Sequence, residues 1–210
     1  AMGSGPMRAA YGKEKLFDDI GFRERPSRAV GVLETSKLPP EEVCRKIAAD
    51  CGVEPKSLTL VSARTASIAG HVQVVARTVE TALHKMHELG FDLKRVQSGY
   101  GIAPLPPIAR DDIAGIGRTN DAVLYGGFVT LWVRGDDESL LELGPKIPSS
   151  SSRDFGEPFG AIFERNRRDF YKIDPLLFSP AVVQLVNLDT GRCHTYGELR
   201  PDVLKRSFAS

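Results

Sequence analysis

The chain has 210 residues, with 28 lysines and arginines against 27 aspartates and glutamates, and its formal net charge is +1. Because the chain has almost no excess of basic residues to bind the phosphate backbone of DNA or RNA, nucleic acid is not an expected partner. The longest nearly uncharged run, residues 122–133, is too short to span a bilayer as a helix, so no membrane partner is expected. Hydrophobic residues (41%) and charged residues (26%) occur as in an ordinary globular protein.

The N-terminus and the cysteines suggest where the protein works. Residues 1–6, "AMGSGP", are typical of a cloning linker, and residues 7–27 are expected to be a lead-in to a domain over 28–210. The start carries no charged segment followed by an apolar one, so secretion is not expected. Three cysteines without a CxxC pair indicate free thiols, with Cys44 and Cys51 stacked on one helix, and hence a reducing cytoplasm.

The first half of the chain alternates between predicted strands and helices. Strands are predicted over 28–35 and 57–62, and a helix over 39–52 is bounded by prolines at its entry and Gly52 at its end. A loop over 63–70 leads into one long helix over 71–89, and residues 91–101 return as a strand. The apolar series of that helix, expected to be buried, is Val72, Val75, Val79, Leu83 and Met86. This order predicts an α/β fold, a mixed sheet with helices packed on it.

The second half contains shorter predicted elements. An extended, proline-restricted connection over 103–110 is followed by a short helix or turn at "DDIAGIG". Residues 122–135 are predicted to form two strands, or one strand bulged at Gly126 and Gly127. A long loop over 144–159, a helical turn or two over 159–166, a hairpin over 181–197 and a short C-terminal helix complete the prediction.

A polar stripe accompanies the apolar face of the long predicted helix. Its members, Gln73, Arg77, Glu80, His84 and His87, fall within about 80° of one another on a helical projection. Such a line is either a solvated surface or one side of a site. The two histidines and the glutamate of "HKMHE" match neither HExxH nor HxxEH, so a metal site is not expected.

Two loops carry groups that suit an anion. Thr65, Ser67 and Gly70 come just before the long helix, where unpaired N–H groups and the positive end of the helix dipole collect anions. Together with the polar stripe they are predicted to form one wall of a pocket. The segment "PSSSSRDFG", residues 148–156, is either a flexible linker or a set of hydroxyls and a guanidinium for an anionic group, and composition does not decide between them.

Four strings make the sequence resemble the methenyltetrahydromethanopterin cyclohydrolases. They are "TASIAGHVQVVARTVETALHKMHELGFD", "APLPPIARDDIAGIGRTNDAVLYGG", "PSSSSRDFGEPF" and "DFYKIDPLLFSPAVVQLVNLDTG". The resemblance runs from about Arg28 to the C-terminus, and by it the chain is the larger part of a two-part fold that lacks the family's N-terminal segment. It implies a cytoplasmic one-carbon enzyme of methanogenic or methylotrophic cells, assembled as a homotrimer.

The implied reaction is hydrolysis of the methenyl bridge of N5,N10-methenyl-tetrahydromethanopterin, or of the dephospho form, to formyl-tetrahydromethanopterin. The pterin is the substrate, and no metal or other cofactor is expected. The family's catalytic RxxE pair matches Arg77 and Glu80. The predicted substrate-binding residues are Thr65, Ser67, Gly70, Gln73, His84, Arg118, Asn120, Asp121, Tyr125, Ser150, Ser151 and Arg153. The alternative is a non-catalytic fragment of the same fold that binds pterin or only oligomerises.

Overall fold

A computed structural model describes residues 2–209 of the chain, which divides into two compact units at Gly70 and His71. This division falls inside the region 28–210 that the sequence analysis treated as one domain, and it was not predicted. The predicted boundaries at residues 7 and 28 stay predictions.

The first unit is a small three-stranded sheet with short helices. Its elements are β1 (Met2–Ser4), α1 (Met7–Tyr11), α2 (Lys15–Asp19), β2 (Ala29–Glu34), α3 (Glu41–Asp50) and β3 (Leu58–Ala63). β2 lies between β1, to which it is antiparallel, and β3, to which it is parallel. The predicted strands over 28–35 and 57–62 and the helix over 39–52 are confirmed, whereas residues 2–4, set aside as linker, form a paired strand.

The core of the first unit lies on one face of β2. Met7, Ala29, Leu33 and Cys51 are buried there. Gly31 allows this packing, because a Cβ at that position would lie 2.1 Å from the sulfur of Met7. All three cysteines of the chain are free thiols.

The second unit is a four-stranded mixed sheet with helices on it. α4 (Ile68–Val75) runs across the division, and the remaining elements are α5 (Thr78–Glu88), β4 (Val96–Ile102), α6 (Asp112–Gly126), β5 (Phe128–Val133), α7 (Asp137–Leu143), α8 (Phe159–Arg165), β6 (Val182–Asn187), β7 (Cys193–Gly197) and α9 (Pro201–Phe208). The strand order is β4-β5-β6-β7, with only the central pair, β5 and β6, parallel. The predicted α/β fold and the hairpin over 181–197 are confirmed.

Two clusters of buried side chains hold the second unit together. One lies between α5, α7 and the sheet and includes Ala82, Met86 and Leu131. The other joins α6, α8 and α9 through residues such as Phe159 and Val203. Among residues 2–209 no helix is both long and apolar enough to cross a membrane.

The single long helix predicted over 71–89 is wrong, because the chain breaks between α4 and α5. The amide of Arg77 donates to the carbonyl of Val74, three residues back, which tightens the last turn of α4. The Thr78 hydroxyl then donates to the carbonyl of Val75 at 2.5 Å. This local bond occupies a carbonyl that a continuous helix would use, and it is the usual way in which threonine competes with helical pairing.

The break also divides the apolar face that was predicted to be buried. On α5, Val79 and Leu83 pack against the buried cluster and Met86 is fully buried, as expected. On α4, Val72 is 44% exposed in the chain. Burial of the predicted face is therefore confirmed for α5 and wrong for Val72.

The strands predicted over 122–135 are partly wrong, since residues 122–126 are the last turns of α6. The helix begins where the Asp111 carboxylate accepts from the amide of Ala114 at 2.8 Å, which is an N-cap. The second half of α6 is buried on nearly every side, because all five residues from Asp121 to Tyr125 are buried. An all-round buried helix shows no apolar period of 3.6 and looks like a buried strand in sequence.

Candidate active site

Arg77 lies at the break between α4 and α5, in the N-cap position of α5. Its guanidinium Nε donates to the carbonyl of Gln73 at 3.1 Å. Its own carbonyl accepts from the amide of Thr81 and from the Thr81 hydroxyl, both at 2.9 Å. These hydrogen bonds therefore fix the backbone of Arg77 and the Nε end of its half-buried side chain.

Glu80 lies in the first turn of α5 and is exposed to solvent. His84 follows one turn later with a side chain that is 59% exposed, and its Nε2 is 3.9 Å from the Glu88 carboxylate. The opposite side of α5 carries the buried Ala82 and Met86. The polar stripe thus exists along α5 from Glu80 onward, but Gln73 lies on α4 and Arg77 lies at the break, so the five residues do not form one continuous helical face.

Glycines on β4 fix the position of the first turn of α5. A Cβ at Gly99 or at Gly101 would lie 2.9 Å from a methyl group of Val79, closer than ordinary packing allows. The two glycines let Val79 approach the backbone of β4. Because Val79 directly precedes Glu80, this contact sets where the carboxylate leaves the helix.

The polar groups of the loop before α4 form hydrogen bonds within the first unit. The Thr65 hydroxyl donates to the Glu34 carboxylate. Ser67 donates to the carbonyl of Arg64 and accepts from the amide of Gly70 at 3.0 Å, so that Ser67 caps the start of α4. Gly70 is required here, since a Cβ would lie 2.0 Å from the Arg64 carbonyl oxygen. These groups belong to the first unit, and the predicted pocket wall that joins them to the polar stripe stays a prediction.

The serine-rich segment is a shaped loop in the structure. Ser149–Ser151 form a 3-10 turn, and the buried Ser149 hydroxyl donates to the carbonyl of Leu124. The buried Tyr125 hydroxyl donates to the carbonyl of Glu157 at 2.6 Å and accepts from the amide of Gly156 at 3.1 Å. Of the two interpretations left open by the sequence, these contacts favour an ordered loop over a flexible linker.

One carboxylate organises the exposed part of that loop. Asp174 accepts from the Ser152 hydroxyl at 2.8 Å, from the amide of Arg153 at 3.2 Å and from the amide of Leu176 at 3.0 Å. Although burial by itself raises the pKa of Asp174, these hydrogen bonds lower that pKa below its ordinary value. Ser150, Ser151 and Arg153 are exposed beside it.

Lys85 is a residue of this region that the sequence analysis missed. It is 1% exposed, and its ammonium group donates to the Ser151 hydroxyl at 3.0 Å and to the carbonyl of Leu176. Burial lowers the pKa of Lys85 to about 8, opposed by the nearby charge of Asp174. A signal existed, because Lys85 follows Ala82 by three residues and therefore lies on the apolar side of the helix.

The four predicted site residues of α6 have structural partners. Arg118 donates to the carbonyls of Pro107 and Ile108, both at 3.1 Å, and thereby holds the proline-rich connection. Asn120 donates to a carbonyl one turn back in the helix. These bonds account for both side chains without a ligand, and the predicted contact of each with substrate stays a prediction.

Asp121 and Tyr125, also predicted to bind substrate, are fully buried. Asp121 accepts from the amide of Phe159 at 2.7 Å, at the first residue of α8, and lies beside the Ser207 hydroxyl of α9. Burial raises the pKa of Asp121 to about 7 and that of Tyr125 to about 12. The structure places both in the packing between helices, so they shape the region from inside.

Within residues 2–209, no three histidine, cysteine, aspartate or glutamate side chains lie close enough together to hold a metal ion. The structure brings two groups of predicted site residues into order in the second unit. One is the start of α5, with Arg77 and Glu80. The other is the serine-rich loop with Ser150, Ser151 and Arg153, and Lys85 connects α5 to it.

Comparison with known proteins gives consistent matches along the chain. Residues 1–208 match the family model described as Cyclohydrolase (MCH). A methenyltetrahydromethanopterin cyclohydrolase of Methylobacillus flagellatus is 48% identical over 208 residues, covering 99% of this chain and 64% of that protein. One of Rhodopirellula baltica is 50% identical over 213 residues, with coverages of 99% and 64%. One of Methanococcoides burtonii is 42% identical over 209 residues, with coverages of 99% and 65%. The chain spans slightly less than two thirds of the length of each of these relatives.

Proposed function

We propose, since the chain belongs to the cyclohydrolase (MCH) family, that it hydrolyses the methenyl bridge of N5,N10-methenyl-tetrahydromethanopterin, or of its dephospho form. The product is formyl-tetrahydromethanopterin. The family resemblance found in the sequence is confirmed by the match over residues 1–208 and by relatives that carry this enzyme name.

The observation that carries the proposal is the position of Arg77 and Glu80 at the start of α5. Arg77 is held at the break by its own hydrogen bonds, and Glu80 projects from the first turn into solvent. An anchored guanidinium and an accessible carboxylate, three residues apart, can act on one bound molecule.

The chemistry of the bridge suits this pair. A methenyl carbon between two nitrogens is an amidinium-like cation and is already electrophilic. Glu80 takes one proton from an attacking water, and a new C–O bond forms at the bridge carbon. That proton passes to the departing ring nitrogen as its C–N bond breaks. The remaining hydroxyl proton is released to solvent as the formyl C=O forms, so the cationic substrate and one water give the neutral formyl product and one proton. The carboxylate also favours the cationic substrate electrostatically, and Arg77 either orients the carboxylate or polarises the attacking water. No step of this proposal uses a metal or a bound cofactor.

The serine-rich loop is proposed to bind the polar parts of the pterin. Ser150, Ser151 and Arg153 are exposed on an ordered turn and offer two hydroxyls and a guanidinium. These groups suit carbonyl, carboxylate or phosphate oxygens. Thr65 and Ser67 already bond within the first unit, so their role in anion binding rests on the residue types alone.

Assembly and location belong to the same proposal. We propose that the protein forms a homotrimer and works in the cytoplasm. Exposed apolar side chains such as Val72, Tyr100 and Ile102 support self-association, since uncovered apolar surface favours it by mass action. Sedimentation that shows only a monomer at high protein concentration would contradict the trimer.

The test is the loss of the methenyl chromophore on adding the purified chain. Catalysis requires a first-order loss well above the spontaneous rate and proportional to the protein concentration. The non-catalytic alternative predicts binding of the pterin, seen by calorimetry, without any such acceleration. If the pterin neither reacts nor binds, the proposed function is wrong for this chain.

A further inference from the structure

Lys85 is a buried cation on the packed side of α5 that the proposed chemistry does not use. It is among the largest fully buried side chains of the chain, beside Met86 in sequence. A buried ammonium group is costly unless it is hydrogen-bonded and near a negative charge. Its contacts therefore indicate what holds it in place.

The partners of Lys85 lie on two segments of the exposed loop region. Its Nζ donates to the Ser151 hydroxyl at 3.0 Å and to the carbonyl of Leu176. The negative charge nearby is Asp174, which itself binds the Ser152 hydroxyl and the amide of Arg153. A cation from α5 thus holds Ser151, the last residue of the 3-10 turn, and a carboxylate holds Ser152, which directly follows it.

The bond from Lys85 determines what Ser151 can do. A hydroxyl has one hydrogen to donate and an oxygen that accepts. The Ser151 oxygen accepts from the ammonium group, and within residues 2–209 its hydroxyl makes no other hydrogen bond. Ser151 is exposed, so its hydrogen can be donated outward. A donor polarised by a cation behind it is stronger than a lone serine.

We propose that Lys85 is a positioning residue that fixes Ser151 as an outward hydrogen-bond donor to an acceptor oxygen of the bound pterin. The class of ligand group is a carbonyl, carboxylate or phosphate oxygen, and a donor group of the ligand is disfavoured at this point. The inference rests on the proposed function. It also links α5, which carries Glu80, to the loop through one side chain, so the base and the substrate contact keep a fixed separation.

The experiment compares four single variants of the full chain and the Lys85→Met/Ser151→Ala double variant. Lys85→Met removes the charge but keeps the length of the side chain, Ser151→Ala removes the donor, and Ser151→Thr keeps a hydroxyl. Lys94→Met is the matched control, because Lys94 is exposed and lies away from the loop in sequence. Two quantities are measured: the dissociation constant of tetrahydromethanopterin by calorimetry, and hydrogen exchange of the amides of residues 149–154.

Lys85→Met is expected to speed exchange at residues 149–154 at least tenfold and to weaken binding of tetrahydromethanopterin about tenfold. Ser151→Ala should weaken binding by a similar factor, whereas Ser151→Thr should bind with nearly the dissociation constant of the parent. The dissociation constant of the Lys85→Met/Ser151→Ala double variant should not exceed that of the weaker-binding single variant. In the hydrolysis assay Lys85→Met and Ser151→Ala should raise KM and lower kcat/KM about tenfold. Lys94→Met should match the parent in every measurement.

Unchanged exchange at residues 149–154 in Lys85→Met would overturn the positioning role, whatever the activity of the chain. Should Lys85→Met fail to fold, Ser151→Ala binding as tightly as Ser151→Thr would overturn the donor role. If the parent neither binds tetrahydromethanopterin nor hydrolyses the methenyl form, the proposed function is wrong and the ligand half of this inference is wrong with it. The exchange comparison still decides the role of Lys85 in that case, which keeps the two failures distinguishable.

Discussion

Replacing Glu80 by glutamine tests whether its carboxylate has a structural or a catalytic role. The substitution keeps the size and helix propensity of the side chain and removes the base. Glu80 is exposed in the first turn of α5, so its loss can remove a favourable interaction with the helix dipole or an exposed ion pair. Those effects contribute about 0.2–1 kcal/mol each, and the free energy of unfolding should change by no more than about 1 kcal/mol.

The expected effect on the rate is much larger than the effect on stability. Loss of a general base costs on the order of 10²–10⁴ in rate, or about 3–5 kcal/mol of barrier. Glu80→Gln should therefore lower kcat at least a hundredfold, with tetrahydromethanopterin binding largely kept. Arg77→Gln should also lower kcat, and the double variant should lose less than the product of the two effects, because the residues act as a unit.

The assay is loss of the methenyl chromophore under saturating substrate, alongside urea unfolding of each variant. Glu138→Gln is the matched control, since Glu138 is also an exposed glutamate in the first turn of a helix, α7. It should change neither kcat nor stability by a comparable amount. If Glu80→Gln hydrolyses the methenyl-pterin within a few-fold of the parent, the assignment of Glu80 as the base is refuted.

Three further predictions concern stability, each measured by urea unfolding. Burial raises the pKa of Asp121 to about 7 from 3.8, so the folded chain holds a proton that the unfolded chain loses, and stability falls as pH rises between about 4 and 7. Asp121→Asn should remove this fall, roughly 2–3 kcal/mol between pH 5 and 8; an equal pH dependence in both proteins would contradict it. Arg167 follows α8 with a positive φ of 58°, which glycine adopts more readily than other residues. Arg167→Gly should therefore raise the free energy of unfolding by about 0.5–1 kcal/mol, and Arg167→Ala should not. A lower free energy of unfolding in the glycine variant would count against backbone strain at this position. Gly101→Ala should lower the free energy of unfolding by about 1–3 kcal/mol, because the added methyl group clashes with Val79. In the Gly101→Ala/Val79→Ala double variant the loss should be smaller than the sum of the two single losses, and a loss equal to that sum would exclude the clash.

The sequence predicted β2, α3 and β3 of the first unit because their signals are local, whereas β1, α1 and α2 were not predicted. β-branched runs, entry prolines and Gly52 mark strands and a helix within a few residues of their ends. The C-terminal hairpin was found for the same reason. The type of the sheet also followed from the order of strands and helices along the chain.

The errors arise where contacts distant in sequence decide the structure. α6 is buried on nearly all sides, so periodicity could not distinguish its second half from a strand. Lys85 lies on the apolar side of its helix in sequence, but its partners, Ser151 and Leu176, are 66 and 91 residues away along the chain, so no local pattern could identify them. Helix packing buries Asp121 and Tyr125, which the sequence did not indicate, and their predicted contact with substrate stays a prediction.

The helix break changes what the RxxE spacing means. In one continuous helix Arg77 and Glu80 would be surface neighbours, and an exposed ion pair would explain them. With Arg77 at the N-cap, Glu80 occupies the third helical position, where a glutamate commonly caps the backbone amide of the N-cap residue. That amide already donates to the carbonyl of Val74 at 3.1 Å. The amide of Arg77 is therefore satisfied by α4 without a capping glutamate, and Glu80 presents an exposed carboxylate in the first turn of α5, where the comparison of Glu80→Gln with Glu138→Gln decides between a structural and a chemical role.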